Sequence, residues 1–218
     1  MNFGPVPLRP GDPAPDFELP AADRDGVVRL ADYRGQGPVL LAVLRGLYCP
    51  FCRRHLTQLG ELAEPLRDAG LAVLGIVVAT ADRARLYFRF RSARFPIAVD
   101  PDRATHRAYG LPEVARTPRL AQVVERAAQE FARELNIQVA PERLSDAVKG
   151  FDGFVPLPSD VTESQAPLQM SGHFLVDREG IVRWTSVEHN VAELPSPEEL
   201  LKLSELCERG GPVAGRLE

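Results

Sequence analysis

The sequence predicts an α/β fold, a layered sheet with parallel strands crossed by helices, and three of its features carry that prediction. Two apolar runs, 38–44 and 71–78, are continuous rather than alternating, as strands covered on both faces are. Each leads into a helical stretch; in the first, Leu56, Leu59, Leu62, Ala63 and Leu66 fall on one face at helical spacing. Two later runs, 173–176 and 181–184, are joined by Asp177-Arg178-Glu179-Gly180, a hairpin turn signal. Strand, helix, strand, helix in that order implies parallel strands with right-handed crossovers.

Residues 9–20 form an entry segment, because Pro10-Gly11-Asp12-Pro13-Ala14-Pro15 enforces extended backbone and turns. Asp16-Phe17-Glu18-Leu19 alternates like a short strand, and Asp23-Arg24-Asp25-Gly26 turns it into Val27-Val28-Arg29-Leu30, an N-terminal hairpin. After the strand at 38–44 and its helix, the run 71–78 feeds a helix over about 81–94, and 96–99 is a short strand. Asp100-Pro101-Asp102 turns into a helix ending near Tyr109-Gly110. There the alternation breaks. Thr117 and Pro118 suit the N-cap and first position of a long helix with Leu120, Val123, Val124, Ala127, Phe131 and Leu135 in one apolar stripe. Residues 150–169, rich in Pro, Gly, Ser and Asp, read as an irregular connection. Past the hairpin, Ser196-Pro197-Glu198-Glu199 caps a final helix reaching about Arg209. The chain, 1–218, is expected to be one domain with a helical insertion over about 111–170. That segment is long for a connection and suits a lid, a homodimer contact or a docking surface.

At 218 residues, 44% hydrophobic and 26% charged, the chain can bury a full core. A net charge of −4 argues against a strongly basic nucleic-acid binder. The charge is uneven: residues 1–95 carry 13 Lys and Arg against 10 Asp and Glu, and the rest 13 against 20, so +3 faces −7. Five of those 13, Arg83, Arg85, Arg89, Arg91 and Arg94, form one cluster, expected to be a solvated helix face; the sharper reading is a site for an anion or an acidic partner. Three cysteines are too few for a disulfide-stapled secreted scaffold. No signal-peptide pattern and no run of membrane-spanning length is visible, so a cytoplasmic protein without membrane contact is expected.

The chemistry points to Cys49-Pro50-Phe51-Cys52, at the junction between the first buried strand and its helix. Free N–H groups and the positive end of the helix dipole stabilise a thiolate there, and a lowered thiol pKa makes a cysteine reactive near neutrality. The spacing lets the second thiol attack a mixed disulfide formed on the first.

The order of elements and several motifs resemble the thioredoxin fold and, within it, the peroxiredoxin-like branch of the AhpC/TSA (redoxin) family. The motifs are Gly11-Asp12-Pro13-Ala14-Pro15-Asp16-Phe17, Asp100-Pro101-Asp102 with Ala108-Tyr109-Gly110, and the hairpin from Phe174 to Arg183. With them stands Arg45-Gly46-Leu47-Tyr48-Cys49-Pro50-Phe51-Cys52-Arg53, similar to that branch's R-G-x-W-C-P-x-C-R block. The resemblance covers about 9–110 and 171–207 and implies a thioredoxin-like mixed sheet flanked by helices. There are departures. With Cys52 set on the peroxidatic cysteine, Arg45 stands at the family's proline, Cys49 at its threonine, and Ser171 at its active-site arginine. Val43 occupies the position of a thioredoxin's buried acid, and Ser171-Gly172-His173 replaces its cis-proline segment.

The Cys-Pro-x-Cys pair and these departures favour a thiol–disulfide oxidoreductase, with Cys49, at the position that is normally the more exposed and more acidic of such a pair, as the nucleophile and Cys52 as the resolving thiol. Pro50 pre-sets the helix entry. Arg45, Arg53 and His55 are candidate cations for the thiolate, although Arg53 reads better as a solvated helix residue. Tyr48 is expected to shield Cys49, and Tyr48, Pro50 and Phe51 to line the substrate side. The alternative, which the resemblance implies, is a thiol peroxidase using the same cysteines through a sulfenic acid; the absent threonine and arginine weigh against a fast reaction. A remote third reading is a structural zinc site on Cys49, Cys52 and His55, completed by His173, His106 or His189. No phosphate-binding glycine fingerprint is present, so no cofactor is expected. Electrons would come from a thioredoxin- or glutathione-type partner thiol. Cys207 is expected to be a buried, inert thiol, His173 a satisfied structural histidine, and Trp184 to face either the core or the site.

Overall fold

A computed structural model describes residues 6–189 and 191–208, without the side chains of 161, 163, 164 and 204–208; the Cys207 side chain therefore lies outside the described residues. In chain order the elements are β1 (Glu18–Pro20), β2 (Val27–Arg29), β3 (Val39–Leu44), α1 (Pro50–Asp68), β4 (Ala72–Val77), α2 (Ala81–Phe88), β5 (Ile97–Val99) and α3 (Ala104–Ala108). There follow β6 (Glu113–Val114), α4 (Pro118–Glu134), α5 (Leu144–Lys149), α6 (Pro158–Gln165), β7 (Leu168–Gln169), β8 (Gly172–Val176), β9 (Val182–Val187) and α7 (Pro197–Glu208). The central sheet has the order β5-β4-β3-β8-β9, with β3, β4 and β5 parallel, β8 antiparallel to β3, and β9 closing the hairpin on β8. This is a thioredoxin-like α/β fold with the expected N-terminal hairpin, β1 on β2.

All six residues of β3 are buried, and their side chains alternate between two cores. Leu40, Ala42 and Leu44 pack on the α1 side with Leu59, Leu66, Leu175 and Trp184. Val39, Leu41 and Val43 pack on the other side with Leu74, Ile76, Tyr109 and Phe174. Burial of each such aliphatic side chain contributes about 1.5–3 kcal/mol, which is why this strand reads as an unbroken apolar run. It also places Trp184 in the core.

Helix α1 ends in a Schellman turn: Leu71 N–H reaches Leu66 C=O at 2.8 Å, Gly70 N–H reaches Arg67 C=O at 2.9 Å, and Gly70 takes φ +79°. Helix α4 starts as its sequence predicts, with the Thr117 side chain accepting from Leu120 N at 3.1 Å and Pro118 opening the helix. Helix α2 is shorter than the expected 81–94, stopping at Phe88, and β9 runs past Trp184 to Val187. The stretch 150–169 is less irregular than its composition suggests, since it holds α6 and β7. β7 pairs antiparallel with β6 (Glu113 with Gln169, Val114 with Leu168), which brings together the two ends of the segment between them.

Two arginines expected in solvent instead clamp residues 149–160 to α1 and α2. Arg53 is fully buried: Nε donates to Asp152 at 2.9 Å, Nη1 to Leu47 C=O at 2.8 Å, Nη2 to Lys149 C=O, and the guanidinium lies 4.0 Å over the Phe154 ring. Arg83 is buried against Asp160 and donates to Val155 C=O at 2.9 Å. Among the described residues no helix is long and apolar enough to cross a membrane.

Candidate active site

β3 delivers Arg45 and then turns sharply at Gly46. Gly46 has φ +142°, and a Cβ there would lie 2.6 Å from Val78 O, so only glycine fits the turn. Cys49 N–H closes the turn onto Gly46 C=O at 3.2 Å, leaving Cys49 as the N-cap of α1 with Pro50 as its first residue. The Cys49 Sγ accepts from Cys52 N–H at 3.5 Å, the contact expected of a thiolate at a helix start.

Arg45 is buried and its guanidinium is shared. Nη1 lies 3.6 Å from Cys49 Sγ, Nε donates to Gln169 C=O at 3.0 Å, and Nη2 pairs with Glu188. Glu188 Oε2 also accepts Ser171 N–H at 3.1 Å, and Oε1 accepts Ala192 N–H at 2.6 Å. Ser171 Oγ is 3.9 Å from Cys52 Sγ. Val43 pairs with Gly172 across the β3–β8 ladder, so Arg45, two residues beyond, reaches the start of β8. Ser171, just before β8, and Arg45, just past β3, thus meet on the same Glu188 carboxylate.

Burial opposes a thiolate at Cys49, but the Cys52 thiol, the Arg45 charge and the Cys52 N–H outweigh it and lower its pKa to about 6, with Glu188 acting against them. Burial and the neighbouring Cys49 push Cys52 well up, so the pair holds one proton near neutrality, on Cys52. The two thiols are unbridged. Both thiols are buried, Cys49 at 4% exposure and Cys52 at 1%, so neither sulfur stands open to a large partner.

Tyr48 is half-buried, its hydroxyl pKa pushed up by burial and by Cys49, and it borders a small cleft with Thr80, Arg83 and Asp160. Phe51 packs edge-on against Phe131 of α4, ring centres 5.4 Å apart. It borders a cleft of about 550 Å³ together with Arg54, His55, Glu130 and Leu194, a cleft whose walls include neither site cysteine.

His55 is not a cation for the thiolate. It is buried, with Nε2 2.8 Å from Nε2 of His173, and burial lowers its pKa to about 4. Burial and then His55 lower His173 further, so the two neutral rings share a hydrogen bond in which one donates and the other accepts. Among the described residues no group of three or more His, Cys, Asp or Glu side chains could hold a metal ion, which removes the zinc reading there. Glu188 escapes the sequence reading because it lies just past the apolar part of β9. The signal was its place on the inward face, two and four residues beyond Ser186 and Trp184.

The AhpC/TSA family model matches residues 10–185. A Mycobacterium tuberculosis (strain H37Rv) protein described as a candidate peroxiredoxin is 37% identical over 106 residues, 47% of this chain and 64% of its own length. Peroxiredoxin Bcp of Escherichia coli K12 is 31% identical over 106 residues, 48% of this chain and 66% of its own. The chain thus spans just under two-thirds of the length of these relatives. In fold it is similar to the crystal structure of peroxidoxin BcpB from Mycobacterium tuberculosis, with a TM-score of 0.58 and 15% identity over 93% of this chain and 97% of that one. With the family model spanning the sheet, the cysteine helix and the final hairpin, this chain belongs to the AhpC/TSA family.

Proposed function

We propose that the protein is a thiol oxidoreductase in which the Cys49 thiolate attacks an oxidised substrate and Cys52 resolves the adduct as an internal disulfide. The observation that carries this is the surroundings of the Cys49 sulfur: a helix N-cap position, the Cys52 N–H at 3.5 Å and the Arg45 guanidinium at 3.6 Å. Together they favour the ionised, nucleophilic form.

Two oxidants fit this chemistry. With a disulfide, Cys49 forms a mixed disulfide and expels a thiolate; Cys52 then attacks the Cys49 sulfur, loses its proton and expels the second thiolate. With a hydroperoxide, an S–O bond forms at Cys49 as the O–O bond breaks and an alcohol or water leaves. Cys52 then displaces hydroxide from the resulting sulfenic acid. The sequence favours the disulfide; the burial of both sulfurs and the family membership favour the smaller hydroperoxide. In either case two electrons from a thioredoxin- or glutathione-type thiol restore the pair, which suits a reducing compartment such as the cytoplasm.

Stopped-flow oxidation of fully reduced protein by hydrogen peroxide, run beside a small disulfide, decides between them. Peroxide consumption orders of magnitude faster than a free thiol's, abolished by Cys49→Ser, supports the peroxidase. A free-thiol rate with peroxide and fast disulfide exchange supports the oxidoreductase. Equal, free-thiol rates with both would end the proposal.

A further inference from the structure

We propose that Glu188 sets the redox potential of the Cys49–Cys52 pair, by compensating Arg45 when the cysteines form a disulfide and opposing the Cys49 thiolate when they are reduced. This rests on the pair being a redox couple and adds a positioning residue that acts on the sulfurs through Arg45.

The geometry is that of one cation between two anions. Arg45 Nη1 faces the Cys49 sulfur at 3.6 Å and Nη2 holds the Glu188 carboxylate, whose side chain is 1% exposed. Glu188 is fixed from both ends, by Ser171 N–H on Oε2 and Ala192 N–H on Oε1. Ala192 takes φ +71°, an unfavourable conformation for a non-glycine residue, and its N–H is tied to this carboxylate. The charged and titratable groups facing the sulfurs are Arg45 from the end of β3, Tyr48 from the turn, the two thiols themselves, and Glu188 from beyond β9.

Oxidised, the site holds Arg45⁺ and Glu188⁻ and is neutral. Reduced, it gains the Cys49 thiolate and carries one net negative charge. An unpaired charge in a buried site is costly, so the carboxylate favours the disulfide and disfavours the thiolate. Neutralising it reverses both preferences: the oxidised site then carries an uncompensated arginine, and the reduced site is a neutral thiolate–guanidinium pair.

The test is equilibration with glutathione. Two glutathione thiols give up two electrons and become one glutathione disulfide, while the Cys49–Cys52 bond breaks. Of the two protons released, Cys52 keeps one and solvent takes the other, leaving Cys49 as the thiolate. In Glu188→Gln the equilibrium constant for this reduction is expected to rise at least about tenfold, a potential about 30 mV higher. The Cys49 thiolate, followed by its ultraviolet absorbance, should titrate about one unit lower. Glu188→Asp keeps the charge but withdraws it from Arg45. It should move the same way by about two- to fivefold, which keeps the test alive if the glutamine variant does not fold. A residue that only braced the fold would alter stability without ordering the potentials as glutamine, then aspartate, then wild type. Unchanged or lower potentials in the variants would overturn the proposal. A wild-type protein that forms no internal disulfide would instead overturn the redox pair itself.

Discussion

Replacing Arg45 with methionine removes the guanidinium that touches Cys49 and leaves an unbranched side chain in the same buried site. The Nη1–Sγ separation is 3.6 Å. At an effective dielectric constant of about 20, unit charges that far apart attract by about 4–5 kcal/mol. Since about 1.4 kcal/mol moves a pKa by one unit, the ceiling on the shift is about three units. The Cys52 N–H and the helix N-terminus survive the change, so a rise of about two units is expected, from near 6 to about 8. At pH 7 the thiolate fraction then falls about tenfold. Nucleophilicity rises with thiol pKa with a slope of about 0.4–0.5, so each remaining thiolate reacts about six- to tenfold faster. The two effects nearly cancel at neutrality, and a single-pH assay would miss the change. The decisive assay is the alkylation rate of Cys49 across the pH range, followed by mass spectrometry. The midpoint should move up by about two units, with the variant overtaking the wild type in base. A midpoint displaced by less than about half a unit would refute the role assigned to Arg45.

The buried histidine pair makes a pH prediction. The folded-state pKa of His55 lies near 4, below the value of about 6.5 in an unfolded chain, and His173 is shifted the same way. The stability this contributes is present above about pH 6.5 and is lost as the pH falls towards 4. His55 alone accounts for about 2–3 kcal/mol of that loss by pH 4.5. Urea midpoints at the two pH values should differ less in His55→Leu/His173→Leu, and an identical slope would contradict it. Arg53→Ala should cost about 2–4 kcal/mol by leaving the Leu47 and Lys149 carbonyls without their donor, while Asp152 keeps the Tyr87 hydroxyl and Arg91. It should also speed limited proteolysis within 150–160; a loss below about 1 kcal/mol would mean that the clamp contributes little. Gly46→Ala, which puts a Cβ 2.6 Å from Val78 O, should lower the urea midpoint and slow Cys49 alkylation together, and an unchanged alkylation rate would show that the turn does not position the thiol.

The parts of the molecule governed by local rules were legible in the sequence. The doubly buried β3 follows from an unbroken apolar run, α4 from Thr117-Pro118, and the placement of Cys49 and Cys52 at a strand–helix junction from the run before them and the helical spacing after them. Misread residues depend on partners far along the chain. Arg53 has the sequence neighbours of a solvated helix arginine, and its burial comes from Asp152, Lys149 and Phe154, nearly a hundred residues later. His55 lies near the thiols in sequence, but its ring turns to His173 and is neutral. Helix α6 hides in a Pro- and Ser-rich stretch because Asp160 both reaches Leu157 N–H at its start and binds Arg83, which local propensity does not register. Glu188 was missed for the converse reason: a single acid after an apolar strand looks like the beginning of solvent, whereas here it is the counter-ion of Arg45.

The most direct test of the account is to locate the oxidised sulfur. Fully reduced wild type, Cys49→Ser and Cys52→Ser are each given less than one equivalent of oxidant at neutral pH, trapped, digested and mapped by mass spectrometry. A Cys49–Cys52 disulfide is expected in the wild type, an adduct or sulfenic acid held on Cys49 in Cys52→Ser, and almost no reaction in Cys49→Ser. Oxidation that begins on Cys52 and persists in Cys49→Ser would contradict it.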